Sequence, residues 1–163
     1  MTNAGRLSIT TVFLGTVIGA GATLSRSAVA AGPSSVIADT AYVVNIEQAA
    51  LANNDFRRVL FTAPHTQLVL MTLQPGEDIG MEVHEQGDQF IRVEAGNGSA
   101  VLDGVTHPLQ DGSSVVIPQG VRHNVVNTGS TPLRVYVLYS PPAHPDRTVH
   151  RTKREAEAAG HHD

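Results

Sequence analysis

Between Gly112 and Asn127 the chain reads GSSVVIPQGVRHNVVN. The apolar run Val115–Ile117 is followed by Pro118-Gln119-Gly120, and proline and glycine in this arrangement favour a sharp turn. His123 then opens a second run rich in β-branched residues, in which side chains two positions apart share one face of a strand. The stretch therefore predicts two short strands joined by a tight turn, with His123 and Asn127 on the same side of the second strand.

The same pattern extends over the middle of the chain, from Phe56 to Tyr139. Short runs of Val, Leu, Ile and Thr alternate with turn signals, and no segment between them is long enough for a crossover helix. Asp103-Gly104 separates two such runs and predicts a tight hairpin. We expect an all-β fold, a single antiparallel barrel or jelly roll of roughly eight or more strands.

Short helices are predicted on either side of the strands. Asn45-x-x-Gln48 has the spacing of a helix cap, and that helix should end by Asn53-Asn54. After the strands, Pro141–Pro145 predicts an extended arm. Thr152-x-x-Glu155 resembles a capping box for a second short helix, which Gly160 ends.

The N-terminal segment has the features of an export signal. Arg6 precedes the uncharged run LSITTVFLGTVIGAGATL (Leu7–Leu24), and Ala28-Val29-Ala30 matches the small-x-small pattern of a cleavage site, with a cut one residue later equally allowed. An uncleaved transmembrane anchor is the alternative, but glycines and threonines dilute the run. We expect a periplasmic or secreted protein without a stable membrane anchor. The predicted organisation is a signal peptide over residues 1–30, a linker over 31–45, the barrel with its leading helix over 46–140, and the arm with its helix over 141–163.

Composition excludes several classes of function. The chain has no cysteine, which rules out disulfides, thiolate chemistry and zinc–sulfur sites. Its formal net charge is −4 at pH 7, from 11 basic and 15 acidic residues, and it has no basic run. Nucleic acid is therefore not an expected partner.

Two motifs of the cupin family are similar to stretches of this chain. Residues 112–127 match the family's second motif, G-x5-P-x-G-x2-H-x3-N, at every defined position. Between Gly76 and Gly96 the chain matches the spacing of the first motif, G-x5-H-x-H-x3–4-E-x6-G. Two residues differ there, because Glu82 stands at the first histidine and Gln89 at the glutamate. We expect residues 82–84 to lie in a strand, with Glu82 and His84 on one face, because side chains two positions apart share a face. The resemblance extends over about residues 51–159, to small bacterial single-barrel cupins, some described as mannose-6-phosphate-isomerase-like.

The resemblance implies a divalent metal inside the barrel, with Glu82, His84, Gln89 and His123 as ligands. The changed set keeps the family's charge of −1, since one carboxylate remains. Oxygen and nitrogen donors without sulfur suit Mn(II), Fe(II), Zn(II), Ni(II) or Co(II). Gln89 would be the weakest ligand, and it could instead hold Glu82 by a hydrogen bond. The alternative is a barrel that has lost its metal, in which these polar groups would need other partners.

The family's spacing leaves two residues open for the third position of the first motif, Asp88 and Gln89. On a strand, Gln89 shares its face with Ile91 and Val93, whereas Asp88 shares its face with charged residues. Because the charged face should lie outside, Gln89 is the predicted ligand and Asp88 the alternative.

Six histidines lie outside the motifs, of which His161 and His162 belong to the C-terminal tail and should be solvated. His65 and His107 stand beside turns and should be exposed. His144 and His150 belong to the proline-rich arm; they could reach the barrel mouth, but we expect them to be packed or solvated.

The resemblance implies the fold more closely than the function, because cupins include isomerases, dioxygenases, oxalate-degrading enzymes and non-catalytic binding and storage proteins. The leading interpretation is a metal-dependent enzyme, of isomerase, lyase or dioxygenase type, that acts on a small polar oxygenated molecule. The alternative is a non-catalytic module that binds a small ligand or metal. We also expect a homodimer, because the early strands, at residues 56–62 and 66–73, are apolar on both faces.

Overall fold

The computed structural model describes residues 41–160. The predicted signal peptide, most of the linker and the last three residues lie outside the described residues. Within residues 41–160, neither helix has the length and apolar character needed to cross a membrane.

The described residues form nine strands and two short helices. In chain order these are α1 (Ile46–Ala52), β1 (Arg57–Thr62), β2 (Gln67–Leu73), β3 (Asp88–Ala95), β4 (Asn97–Leu102), β5 (Val105–Gln110), β6 (Ser114–Ile117), β7 (His123–Val126), β8 (Leu133–Ser140), β9 (Val149–His150) and α2 (Lys153–Ala159).

The strands form two sheets around one core. The larger sheet has the order β6-β3-β8-β2-β1-β9, the smaller has the order β5-β4-β7, and neighbouring strands are antiparallel. Val69 and Val137 of the larger sheet and Val125 of the smaller belong to the same buried cluster. The predicted all-β antiparallel barrel is confirmed, with its core between the two sheets.

Both predicted helices are present with the predicted caps. The Asn45 side chain accepts a hydrogen bond from the Gln48 N–H, and α1 ends before Asn53. The Thr152 side chain accepts from the Glu155 N–H at the start of α2, whose C-cap is Gly160. The Glu155 carboxylate accepts from the N–H of residue 151 instead of that of the cap.

Two of the turn predictions have a clear backbone cause. Asp103 and Gly104 both have positive φ, 47° and 85°, and they join β4 to β5 as the predicted hairpin. Gly96, which closes the first motif, has φ of 90°, and a Cβ there would lie 2.6 Å from the Pro132 carbonyl oxygen. Glycine at this position is therefore required by the approach of two chain segments.

The proline-rich arm is more closely integrated than the sequence predicts. Its strand β9 pairs with β1 at the edge of the larger sheet, where Val149 is opposite Arg58. Farther along, Lys153 of α2 forms an ion pair with Asp78, which lies between β2 and β3. The arm thereby covers one end of the barrel wall and returns His144 and His150 to the barrel.

Candidate metal centre

The backbone brings Glu82 and His123 together as neighbours. Each donates its N–H to the carbonyl of the other, at 2.9 Å in both directions, and they form an isolated antiparallel bridge. The prediction of a continuous strand through residues 82–84 is wrong, because only this bridge and one at Asp78 pair with β7, and Gly80 breaks the segment with φ of 96°. This single bridge is sufficient to bring the Glu82 and His123 side chains together, since directly paired residues project to the same side.

His84 is fixed by the turn that precedes β7. Its carbonyl accepts a hydrogen bond from the Gly120 N–H at 2.9 Å, so the Pro118-Gln119-Gly120 turn holds the loop of the first motif. One ligand atom each from Glu82, His84 and His123 lies within 4.8 Å of the other two. The two motifs therefore converge on one buried cluster, which we call the triad.

Hydrogen bonding defines which nitrogen of His123 faces the triad. Its Nδ1 lies 2.9 Å from the Val121 carbonyl oxygen, which can only accept, so Nδ1 carries a hydrogen. In the neutral ring, Nε2 therefore presents a lone pair to Glu82 Oε1 at 3.4 Å; Nε2 of His84 lies at the same distance from that oxygen. A proton or a metal ion between these atoms would relieve the repulsion between lone pairs.

The electrostatics of the triad favour an added positive charge. Burial acts to raise the pKa of Glu82, but the neighbouring His123 and His84 outweigh burial and lower this pKa to about 2. Burial acts to lower the pKa of His123, but Glu82 and the Val121 carbonyl raise it overall. The Glu82 carboxylate is thus ionised, and it stabilises the protonated form of the neighbouring His123 imidazole.

Gln89 and Asp88 lie on opposite sides of β3. Gln89 is 1% exposed, and its Nε2 donates to the Tyr139 hydroxyl at 3.1 Å. Asp88 is exposed and accepts a hydrogen bond from the Gln119 N–H at 2.9 Å. The orientation that the strand pattern predicts for Gln89 is therefore observed, and Tyr139 links it to the triad through a ring contact with His84 at 5.5 Å.

The residues present fit a divalent metal ion. Among residues 41–160, three of the buried side-chain atoms without a hydrogen-bond partner belong to the predicted ligands: His84 Nε2, His123 Nε2 and Gln89 Oε1. All three atoms are metal donors of the kind that Mn(II), Fe(II), Ni(II) and Zn(II) accept. The Nδ1 hydrogen bond of His123 to a carbonyl is also the usual support for a ligating histidine.

Two residues near the triad, Tyr139 and Gln67, were not predicted from the sequence. Tyr139 lies with its ring between those of His84 and His144, at 5.5 Å and 5.1 Å between centroids. Gln67 is fully buried and binds the backbone of His144 at both its N–H and its carbonyl. Two signals could have found Tyr139 and Gln67: Tyr139 continues the inward alternation of β8, and Gln67 is polar on an inward position of an apolar strand.

The expectation for His144 is thus only half right, because the residue is packed, but it is packed at the candidate site. Burial, the Arg57 charge and neighbouring groups lower the pKa of His144 to about 3, so this imidazole is neutral. His65 and His107 are exposed, as predicted. A cavity of about 350 Å³ opens beside His84 and Tyr139, and residues 85–88 and 141–143 complete its wall.

Comparison with known proteins places these features in one family. A cupin domain model (Cupin_2) matches residues 69–139. The uncharacterized protein YrkC of Bacillus subtilis is 48% identical over 124 residues, covering 72% of this chain and 67% of YrkC. Protein L612 of Acanthamoeba polyphaga mimivirus, also uncharacterized, is 40% identical over 73% of this chain and 77% of its own. The crystal structure of BH2720 from Bacillus halodurans superposes with a TM-score of 0.72 at 44% identity, covering 74% of this chain and 96% of that one.

Proposed function

We propose, from the premise that this chain belongs to the cupin family, that its barrel holds one divalent transition-metal ion on Glu82, His84, Gln89 and His123. One observation carries the proposal: the Nε2 atoms of His84 and His123 each lie 3.4 Å from Glu82 Oε1. A cation between these atoms would supply the partner that the two buried imidazole nitrogens lack. The free Oε1 of Gln89 supplies a fourth donor of the right kind.

The proposed activity is turnover of a small polar oxygenated molecule by isomerase, lyase or dioxygenase chemistry. The bound metal would supply Lewis acidity or activation of oxygen. The protein's own residues shape the cavity beside His84 and Tyr139, and Gln67 holds His144 beside the Tyr139 ring. Burial and the Glu82 charge raise the pKa of Tyr139, so its phenol keeps its proton and is available as a hydrogen-bond donor.

A non-catalytic binding module is the second candidate, and one observation favours it. Among residues 41–160, the nearly buried carboxylates are Glu82 and Glu94, and Glu94 is occupied by an ion pair with Arg92. If Glu82 is a metal ligand, the site has no carboxylate left to act as a general base. NMR of a panel of hydroxy-acids, keto-acids, sugars and phenolics with metal-loaded protein separates the two. Metal-dependent product formation indicates an enzyme, and binding without turnover indicates a module.

The metal proposal is tested by thermal shift of chelator-dialysed protein after addition of Mn(II), Fe(II), Ni(II) or Zn(II). We expect a rise in melting temperature for the wild type and none for His123→Ala, because an imidazole is a strong ligand. Gln89→Ala should keep a smaller rise, since a neutral amide oxygen is a weak donor, and Gln89→Glu should enlarge it. The matched control is His107→Ala, which removes an exposed imidazole and should behave as the wild type. Equal shifts in His123→Ala and the wild type would contradict the proposal.

The proposed location of the protein is outside the cytoplasm. The motif over residues 1–30 supports a cleaved signal peptide and a periplasmic or secreted protein. Sequencing of exported material should give a mature N-terminus at Ala31, within one residue; a start at Met1 or Thr2 would contradict cleavage.

A homodimer is supported by apolar side chains on the outside of β1 and the segment before α1. Tyr42 stacks on Phe61 at 4.9 Å between centroids, Val43 is 94% exposed, and Leu60 is half-buried. Association of two copies would remove this apolar surface from water. Light scattering should give twice the chain mass at micromolar concentration, and a monomer mass would contradict the proposal.

A further inference from the structure

A second group of polar side chains, centred on Arg57, points into the barrel. Arg57 lies directly opposite Met71 on β2 and His150 on β9. Directly opposed residues of antiparallel strands project to the same side, and Met71 belongs to the core. Arg57 and His150 therefore face the interior, and Arg57 is only 6% exposed.

These groups have hydrogen-bonding capacity that the protein does not use. Arg57 Nε, His150 Nδ1 and His144 Nε2 are buried without a hydrogen-bond partner. Within residues 41–160, no carboxylate forms an ion pair with Arg57, and its guanidinium instead lies over the Phe56 ring, 5.8 Å from the ring centroid.

An unpaired guanidinium in the interior is a costly arrangement. Arginine keeps its charge under all physiological conditions, so it does not escape the cost by losing a proton. Buried charges in proteins are normally paired. The two histidines cannot balance this charge, because an imidazole is either neutral or positive. Burial and the Arg57 charge lower the pKa of both, which favours the neutral form. The missing partner of this cluster is therefore an anion.

We propose that Arg57, His144 and His150 form a binding subsite for the oxyanion group, carboxylate or phosphate, of a small molecule. The guanidinium offers two parallel N–H donors that match the two oxygens of such a group, and each neutral imidazole can donate one more hydrogen bond. The subsite adds a substrate class to the proposed function. It rests on that function in one respect, namely that the other end of the same molecule reaches the metal. The Tyr139 ring contacts both His84 of the triad and His144 of the subsite, and so joins the two groups.

This subsite narrows the expected substrate class from any small oxygenated molecule to a small acid or phosphate ester. A neutral sugar or an uncharged phenolic compound would leave Arg57 without its counterion. Such a ligand should bind weakly, because the buried charge would stay unpaired.

The test is isothermal calorimetry with malonate, inorganic phosphate and glycerol as probes. The proteins are the wild type, Arg57→Met and Arg58→Gln, each in metal-loaded and chelator-dialysed form. Arg58 is the matched control, since it is the next residue, is exposed, and donates to Asp55 at 2.7 Å outside the barrel. We expect the wild type and Arg58→Gln to bind malonate or phosphate with equal Kd, Arg57→Met to bind at least tenfold more weakly, and none to bind glycerol.

Two further readouts separate loss of the subsite from loss of the fold. Arg57→Met removes a buried unpaired charge and keeps apolar volume, so its melting temperature without anion should equal or exceed that of the wild type. Arg57→Lys keeps the charge and should bind more tightly than Arg57→Met. A preference for malonate over phosphate, or the reverse, identifies which oxyanion the site takes.

The inference is overturned if the wild type binds neither anion, or if Arg57→Met binds them as tightly as the wild type does. Because binding is also measured on chelator-dialysed protein, failure of the metal proposal leaves this result interpretable. Anion binding without metal binding would support the subsite and contradict the metal centre.

Discussion

Replacing Gln67 by alanine tests whether this buried amide holds the first part of the arm, at His144, to the barrel. The Gln67 side chain is fully buried, its Nε2 donates to Thr62 Oγ1 at 2.9 Å and to the His144 carbonyl at 2.8 Å, and its Oε1 accepts from the His144 N–H at 3.0 Å. These hydrogen bonds join β1, β2 and the arm at the inner end of the barrel. The substitution would break all three at once.

The magnitude follows from the burial of these groups. Each hydrogen bond contributes a net of about 1 kcal/mol, and each partner left unpaired in the interior adds a desolvation cost. The vacated volume adds a further loss of packing. We expect Gln67→Ala to lower the free energy of unfolding by roughly 3–5 kcal/mol, a large part of the stability of a domain of this size.

Urea denaturation, monitored by circular dichroism, measures this loss of unfolding free energy. The control variant is Gln110→Ala. Gln110 is exposed on β5, so its substitution should change the free energy of unfolding by less than about 0.5 kcal/mol. Hydrogen exchange at the His144 amide should accelerate more in Gln67→Ala than exchange in β8 does, because the first part of the arm loses its attachment while β9 stays paired with β1. A loss below about 1 kcal/mol, with unchanged exchange at His144, would refute this account of the arm.

Three further perturbations have defined outcomes. Gly96→Ala combines a positive φ with a clash against a carbonyl and should cost about 2–4 kcal/mol in urea unfolding; Gly120→Ala, with positive φ but open space around it, should cost about 1 kcal/mol. Asn127→Ala breaks hydrogen bonds to two carbonyls and one N–H, so we expect a loss of about 2–3 kcal/mol by the same measurement. Burial acts to raise the pKa of Asp78, but its hydrogen bond with Lys153 helps to lower it overall, so this pair stabilises the fold above pH 3.8 and less as the pH falls through the lowered pKa. Lys153→Met should therefore cost roughly 0.5–1 kcal/mol at neutral pH, and its melting temperature should approach that of the wild type as the pH falls below 3.8; a constant difference would contradict the linkage.

Local patterns in the sequence were sufficient to predict the barrel and most of the triad. The alternation along β3 assigned Gln89 to the inside, and Asp103-Gly104 predicted the hairpin, because both depend only on neighbouring residues. The convergence of Glu82 and His123 also followed, although the segment that carries Glu82 pairs by an isolated bridge and not by the expected strand. The spacing of the two motifs was therefore a better guide to the site than local strand propensity.

The residues that were missed depend on contacts between distant parts of the chain. His144 was expected to be a packed or solvated residue of the arm, and the pairing of β9 with β1 and the hydrogen bonds of Gln67 bring it to the candidate site. Arg57 is one of two adjacent arginines at the start of β1, and nothing in the local sequence says which of them faces the core. Long-range strand register decides that question, and a single sequence carries little information on register.

The metal content of the purified protein tests the proposed metal centre most directly. Elemental analysis after dialysis should find one divalent transition-metal ion per chain in the wild type and in His107→Ala, and essentially none in His123→Ala. Loading each protein with Mn(II), Fe(II), Ni(II) or Zn(II) before dialysis tests the same point independently of the metal supplied during growth. A wild type that retains no metal after loading, or a His123→Ala variant that retains as much as the wild type, would contradict the metal centre.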